Sequence, residues 1–197
     1  MARPRRSHEK RRKLLEEGAN VFLRQGFHGT GLLEVLERVG VPKGSFYNYF
    51  PSKEEFGAEV VRHYAAEFDA RLDVVAEKAK KDAPAALRRF FRELSAEFAD
   101  AGYGGGCLVG NLSGQLEDSE TCRAAMAEAL RGWAARIARA VALGQEQGVF
   151  RKDRTAEELA AFLLDSWEGA VLRMKVERSD RPLRRWIELA LDGWLRG

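Results

Sequence analysis

The sequence predicts an all-α protein of about nine helices. Apolar residues recur at three- and four-residue intervals along nearly the whole chain, and the alternation typical of strands is almost absent. Two capping boxes, SKEE at 52–55 and TAEE at 155–158, stand directly before apolar-periodic segments. With 197 residues, 45% of them hydrophobic and 32% charged, the chain can form one medium domain or two small ones with a real core.

The first three predicted helices are short. The periodicity places them at about 8–25, 32–39 and 42–49, and Gly26 and Gly40 stand where they would close the first two. A proline at position 42 suits the first turn of the third helix. These helices predict a small three-helix head.

The later predicted helices are mostly longer. The first capping box, with Ser52 as N-cap, predicts a helix to about residue 81. Further helices are expected over about 82–101, from about 107, over 119–147, over 155–178, and from about 180. The change in helix length predicts two domains, a head over 1–52 and a larger bundle over 53–197.

Positive charge is concentrated at the N-terminus. Residues 1–13 carry seven basic side chains and one acidic one, whereas residues 63–197 are nearly neutral. A basic arm on a neutral body indicates a polyanion partner, and a solvated tail explains the same charges equally well. If the partner is DNA, Arg5 and Arg6 are candidate phosphate contacts.

The composition also indicates the compartment. The basic arm runs into charged residues rather than an apolar segment, which is unlike a secretory signal, and no apolar run approaches the roughly 20 residues of a membrane span. Two cysteines do not make a disulfide framework. We therefore expect a cytoplasmic protein without a membrane contact.

Residues 32–50 have the layout of a helix-turn-helix: a helix, a VGVPK turn, and a second short helix. Phe46 and Phe50, four residues apart, are expected to pack on the head. The residues expected to point outward are Lys43, Ser45, Tyr47 and Asn48. A helical hairpin with exposed tyrosines is the alternative, and the basic arm on the same head favours DNA binding.

The run GFHGTGLLEVLERVGVPKGSFYNYFPSKEEFG (26–57) resembles the DNA-binding domain of TetR-family transcriptional repressors. The resemblance implies a homodimer that binds a pseudo-palindromic operator and is released by a small-molecule inducer. It also implies groove or base contacts from Lys43, Gly44 and Tyr47, and phosphate contacts from Thr30, Tyr49 and Lys53. The family often has a second threonine where this chain has Gly31, so one hydroxyl contact is absent.

A glycine-rich segment, GGGCLVGNLSGQLEDSETC (104–122), carries both cysteines. Cys107 follows three glycines at a predicted helix start, where the helix dipole favours a thiolate; the alternative is that Cys107 and Cys122 are buried apolar residues. The segment resembles a TetR subgroup in which some members respond to electrophiles or unsaturated carbonyl compounds through a cysteine. Besides Cys107, the candidate pocket residues are Tyr64, Phe68, Asn111, Trp133 and Trp167, and a place in the core is the favoured alternative for each of these five.

The last two predicted helices carry long apolar stripes. Two such helix pairs from two chains would form a four-helix bundle, as the resemblance implies, whereas the alternative is that the stripes close the core of one chain. The predicted interface residues are Leu159, Phe162, Leu163, Trp167, Leu183, Trp186, Ile187, Ala190, Leu191 and Trp194.

A thiol-dependent enzyme using Cys107 is the alternative function. Such an enzyme needs a general base, and all three histidines lie before residue 64. The chain also has no metal-ligand spacing and no phosphate-binding loop, so we expect neither a metal nor a cofactor. The sequence therefore favours a DNA-binding regulator over an enzyme.

Overall fold

The computed structural model describes residues 3–196, and their side chains from residue 7 onwards. All regular structure in this range is helical, which confirms the all-α prediction, and none of its helices is long and apolar enough to cross a membrane. The α-helices are α1 Arg3–Gly29, α2 Leu32–Val39, α3 Lys53–Ala79, α4 Ala83–Asp100, α5 Leu108–Ser113, α6 Glu120–Glu146, α7 Ala156–Glu177 and α8 Arg181–Trp186.

The chain forms two compact units. The first contains residues up to 66 together with residues 107–129, and the second contains residues 67–106 together with residues from 130 onwards. The first unit thus holds the predicted head and also α5 and the start of α6. The division of function at residue 52 stays a prediction.

Local signals set most of the helix ends. Regular helical geometry in α1 is interrupted at Gly26 (φ 73°), and Gly40 closes α2 in the left-handed conformation (φ 65°). The Ser52 hydroxyl accepts a hydrogen bond from the Glu55 amide at 3.0 Å. At the start of α7, Thr155 and Glu158 form the complete reciprocal capping box. The caps at Gly40, Ser52 and Thr155 confirm the boundaries predicted there. The predicted end of the first helix at Gly26 is wrong, because the helix resumes after this glycine and α1 ends at Gly29.

The third helix differs from the prediction. Residues Lys43–Asn48 form a 3₁₀ helix, and Pro42 lies before it as the N-cap rather than inside its first turn. The Ser45 amide donates to the Pro42 carbonyl, and the Tyr49 amide donates to the Phe46 carbonyl, both at 2.8 Å. Runs of 3₁₀ helix longer than three or four residues are uncommon, so this six-residue run is a long one.

The core of the first unit is an aromatic cluster built around Phe56. The Phe56 ring is fully buried and lies 4.8 Å from the Phe50 ring, 5.6 Å from Phe46 and 5.8 Å from Phe22, measured between centroids. A Cβ atom at position 18 would lie 2.6 Å from Phe56 Cζ, so Gly18 makes room for this ring. The cluster joins α1, the 3₁₀ helix and α3.

The second unit has its own aromatic core. The rings of Phe91, Trp167 and Trp186 lie 4.6–4.9 Å apart between centroids, and all three residues are buried. The Trp186 indole N–H donates to the Ser166 hydroxyl at 2.8 Å, so the polar group of this ring is satisfied. After α8 the chain continues as a π-helical turn, Ile187–Leu191, and a 3₁₀ turn, Trp194–Arg196.

We expect Phe56→Ala to lower the free energy of unfolding by about 3–5 kcal/mol, because it leaves a cavity among three aromatic rings. Urea denaturation monitored by circular dichroism measures this change. Tyr47→Ala is the control, because its ring is 66% exposed, and we expect it to change the free energy of unfolding by less than about 0.5 kcal/mol. Equal losses in the two variants would contradict the packing described here.

Candidate functional site

The 3₁₀ helix divides its side chains between the core and the surface. Phe46 and Phe50, which follows the helix, are buried at 2% and 1% exposure, as the sequence predicts. Lys43, Gly44, Tyr47 and Asn48 are exposed, and Ser45 and Tyr49 are half-buried. The helix therefore presents a short polar and aromatic surface, whose role as a DNA contact stays a prediction.

Thr30 is not on this surface. Its residue is 1% exposed, and its hydroxyl donates to the Gly26 carbonyl at 2.6 Å. The family resemblance implies a phosphate contact from Thr30, and that role stays a prediction, whereas in the structure this hydroxyl bonds at the end of α1. The bond satisfies a carbonyl that the interruption of the helix at Gly26 leaves without its usual partner.

Lys53 also bonds within the protein. Its ammonium donates to the carbonyls of Phe27 and Thr30, both at 2.8 Å, and lies 4.5 Å from the centre of the Phe27 ring. Burial lowers the pKa of Lys53, and the nearby Glu54 carboxylate partly opposes this change. Lys53 thus ties the start of α3 to the end of α1. Replacing it would test this structural tie as much as any phosphate contact.

The basic arm contributes one residue that sequence reasoning missed. Arg11 forms an ion pair with Glu59 at 3.0 Å, and its guanidinium carbon lies 5.1 Å from the centre of the Phe50 ring. No local pattern marks this contact, since α3 and the Phe50 ring reach Arg11 only in the folded head. The predicted contacts of Arg5 and Arg6 lie outside the described side chains.

Cys107 lies at the start of α5, where the sequence placed it. It is the N-cap residue of this helix and is 7% exposed, and its carbonyl accepts the Asn111 amide at 2.9 Å. Three apolar residues of α5, Leu108, Val109 and Leu112, are buried after it. The cysteine is therefore at one end of a short helix that is embedded in the first unit.

Cys122 lies in the first turn of α6, as predicted, and is fully buried. Its thiol donates to the Glu54 carbonyl at 3.3 Å. Burial is the main cause that raises the pKa of this thiol, so at neutral pH it is protonated and weakly nucleophilic.

The candidate pocket residues are divided between the two units. Tyr64, Cys107 and Asn111 belong to the first unit. In the second unit, the Phe68 ring lies 4.8 Å from the Trp133 ring, and Trp133 and Trp167 are buried at 1% and 3% exposure. A ligand pocket lined by these residues stays a prediction.

Many residues predicted for the dimer interface are buried inside the second unit. The exposed fractions of the following residues are all below 5%: Leu159, Leu163, Trp167, Leu183, Ile187 and Leu191. These side chains pack in the core of the chain itself, which corrects the expectation that they face a second chain. The apolar stripes of α7 and α8 thus pack mainly in the core of this chain.

A different face of α7 is apolar and exposed. Phe162, Leu172 and Val176 are 46%, 63% and 77% exposed, and Leu189 after α8 is 64% exposed. A groove of about 530 Å³ lies along this region, lined in part by Phe162, Trp186, Ala190 and Trp194 from the predicted set. Gly169 also lines the groove, with open space where a Cβ atom would be.

Comparison with known proteins identifies the family. Residues 14–60 match the family described as bacterial regulatory proteins, tetR family, and residues 83–190 match the tetracyclin repressor-like C-terminal domain. The chain belongs to the TetR family. The first match covers the helix-turn-helix region, and the second covers most of the remaining chain.

Two curated TetR-family relatives are transcriptional repressors by name. The chain is 34% identical to the repressor DhaR of Mycobacterium sp. strain GP1, over 94% of this chain and 92% of that protein. It is 36% identical to the repressor NemR of Escherichia coli K12, over 89% of each chain. The crystal structure of reduced E. coli NemR superposes with a TM-score of 0.88 and 31% identity, covering 96% of this chain and 99% of that chain.

We expect Cys122 to resist alkylation in the native protein, because its thiol is buried and its raised pKa keeps it protonated at neutral pH. Incubation with crotonaldehyde at pH 7.5, followed by peptide mass spectrometry, measures adducts at each cysteine. The same incubation in guanidinium is the control, where Cys122 should react. Rapid modification of Cys122 in the native protein would contradict the described burial.

Proposed function

We propose that this TetR-family protein is a transcriptional repressor that binds a pseudo-palindromic DNA operator as a homodimer and is released by a small-molecule inducer. The observation that carries the proposal is the exposed surface of the 3₁₀ helix within a TetR-type head. Phe46 and Phe50 fix the helix to the head, and Tyr47 is left 66% exposed with one edge of its ring against Phe46. A large exposed aromatic ring between polar neighbours suits the edge of a DNA groove.

The proposed base and groove contacts are Lys43, Gly44 and Tyr47, with Ser45 and Asn48 beside them. Lys43 supplies a positive charge, and Gly44 has open space in place of a side chain, so that backbone can approach DNA closely. Tyr49 is the proposed phosphate contact in the same segment. Thr30 and Lys53 act in this proposal by holding the end of α1, while Arg5 and Arg6 extend the positive surface.

The proposed dimer interface is the exposed face of α7 with the groove beside it. Phe162, Gly169, Leu172 and Val176 recur every three to seven residues, which places them on one side of the helix. Leu189 and Trp194 continue the apolar surface. Burying such side chains contributes about 1.5–3 kcal/mol each, enough for a few of them to hold two chains together.

The proposed inducer is a small molecule, and an electrophile acting at Cys107 is the specific hypothesis. In that reaction the Cys107 sulfur adds to the β-carbon of an enal, the α-carbon takes up a proton, and no leaving group forms. The crotonaldehyde experiment described above also tests this hypothesis. An adduct at Cys107 that releases operator DNA would support it, and an unmodified Cys107 or an unchanged affinity would exclude it.

A thiol-dependent enzyme finds little support. His8 and His28 are exposed in the first unit, and the named relatives are repressors. Within residues 7–196 no three His, Cys, Asp or Glu side chains are grouped as a metal site. A regulator of transcription acts where bacterial DNA lies, so we propose a cytoplasmic protein.

We expect Tyr47→Ala to weaken operator binding at least tenfold without unfolding the chain, because it removes an exposed contact surface. Fluorescence anisotropy with a DNA fragment from upstream of the protein's own gene measures the dissociation constant at several salt concentrations. The wild-type affinity should fall steeply with salt, as expected for phosphate contacts.

Val149→Ala is the matched control for this measurement. Val149 is 40% exposed and lies in the second unit, so its truncation should leave the operator affinity unchanged. Equal affinities of wild type and Tyr47→Ala would rule out the proposed contact surface. Salt-independent binding by the wild type would contradict the proposed function itself.

We expect Leu172→Glu to raise the dissociation constant of the homodimer at least tenfold, because it places a charge on the proposed interface. Sedimentation velocity over a range of protein concentrations measures this constant. Val74→Glu is the control, since Val74 is 51% exposed on α3 and lies outside the proposed face. If both variants sediment like the wild type, the interface lies elsewhere.

A further inference from the structure

Gln115 connects two parts of the first unit that lie far apart in sequence. It follows α5, and its side-chain Oε1 accepts hydrogen bonds from the backbone amides of Phe27 at 2.8 Å and His28 at 3.4 Å. The Gln115 carbonyl is 2.7 Å from His28 Nε2, which donates to it. Together these bonds, here called the Gln115 latch, hold the last turn of α1.

The latch depends on Gly26. A Cβ atom at position 26 would lie 2.5 Å from Gln115 Oε1 and 2.7 Å from Nε2, and Gly26 has a φ of +73°, which L side chains rarely adopt. A glycine therefore permits both the interruption of α1 and the close approach of Gln115. The side chain is further fixed because its Nε2 donates to the Asn111 carbonyl at 3.1 Å.

The same turn is bonded from its other side. The Lys53 ammonium donates hydrogen bonds to the carbonyls of Phe27 and Thr30, and the Thr30 hydroxyl donates to the Gly26 carbonyl. Lys53 begins α3 five residues after the last residue of the 3₁₀ helix. The amides of this turn thus donate to Gln115, and its carbonyls accept from Thr30 and Lys53 of the predicted DNA-binding head.

The other end of α5 carries Cys107. Seven residues, the six of α5 and Gly114, separate Cys107 from Gln115, and the apolar residues of this helix are buried. A packed helix moves as a rigid body rather than absorbing a displacement internally. A change in position at Cys107 would therefore appear at Gln115.

We propose that Gln115 is a positioning residue for operator binding, which fixes the head on α5 and carries changes at the Cys107 end to the 3₁₀ helix. This inference rests on the proposed function, because it names how that function is regulated. With the latch closed, the 3₁₀ helix is held in one orientation before DNA binds. With the latch open, binding must also order the head, which weakens specific binding.

The test compares Gln115→Met with Gln147→Met. Methionine keeps the length of the side chain and removes its hydrogen bonds. Gln147 makes similar bonds within the second unit, accepting from the Ala83 amide at 3.1 Å and donating to the Ala79 carbonyl at 2.7 Å. Both variants should therefore lose similar stability in urea denaturation, and only Gln115→Met removes the side-chain bonds of the latch.

Anisotropy with the operator fragment and with a random fragment of equal length gives the first readout. Gln115→Met should bind the operator about tenfold more weakly than wild type and the random fragment equally well, because non-specific binding needs only phosphate contacts. Gln147→Met should match the wild type on both. If Gln115 contributes to stability alone, Gln115→Met and Gln147→Met should lower the operator affinity by similar factors. That result would overturn the inference.

Hydrogen exchange on the DNA-free protein gives the second readout and separates this inference from the proposed function. Gln115→Met should speed amide exchange at residues 27–28 and also across residues 43–53, whereas Gln147→Met should change neither segment. Faster exchange confined to residues 27–28 would overturn the inference whether or not the wild type binds an operator. Absence of specific DNA binding by the wild type would defeat the proposed function and with it the role in operator binding, whereas the exchange result would still show whether Gln115 fixes the 3₁₀ helix.

Discussion

The first unit depends on how the backbone groups at the end of α1 are satisfied. Gly26 interrupts the helix, so the amides and carbonyls of residues 26–30 cannot all bond within it, and each buried group without a partner costs about 1–3 kcal/mol. The partners come from elsewhere in the chain: Gln115 accepts from two amides, and Thr30 and Lys53 donate to three carbonyls. This turn therefore joins α1, α3 and the segment after α5.

Lys53 and Thr30 carry hydrogen-bond donors that suit either a DNA phosphate or a backbone carbonyl of the protein. An ammonium or hydroxyl can donate to a phosphate oxygen or to a peptide carbonyl, and the bond to the charged phosphate is the stronger of the two. In this chain Lys53 and Thr30 donate to backbone carbonyls at the end of α1. The exposed polar and aromatic surface of the head is therefore formed by the 3₁₀ helix. Tyr47 remains 66% exposed although its ring lies 5.4 Å from the Phe46 ring, whereas Phe46 and Phe50 are buried in the aromatic cluster.

Local patterns were sufficient to predict most helices and their ends, because Gly40, Ser52 and Thr155 act on their immediate neighbours. Local patterns could not show whether Leu159 and Leu183 belong to the core or to a dimer interface, because an apolar stripe looks the same in both cases. Gln115 left no signal either, because its partners are 88 and 87 residues away. Only the exposure of Leu172 and Val176 in the fold shows which face of α7 remains open.

The 3₁₀ geometry of Lys43–Asn48 makes this segment longer than an α-helix of the same residues. The five steps from Lys43 to Asn48 rise about 10 Å in a 3₁₀ helix and about 7.5 Å in an α-helix. In the proposed complex with DNA, the two ends of the segment would therefore contact positions about 2.5 Å farther apart than α-helical geometry would allow. Backbone geometry, and not only the choice of side chains, would then contribute to the length of the half-site.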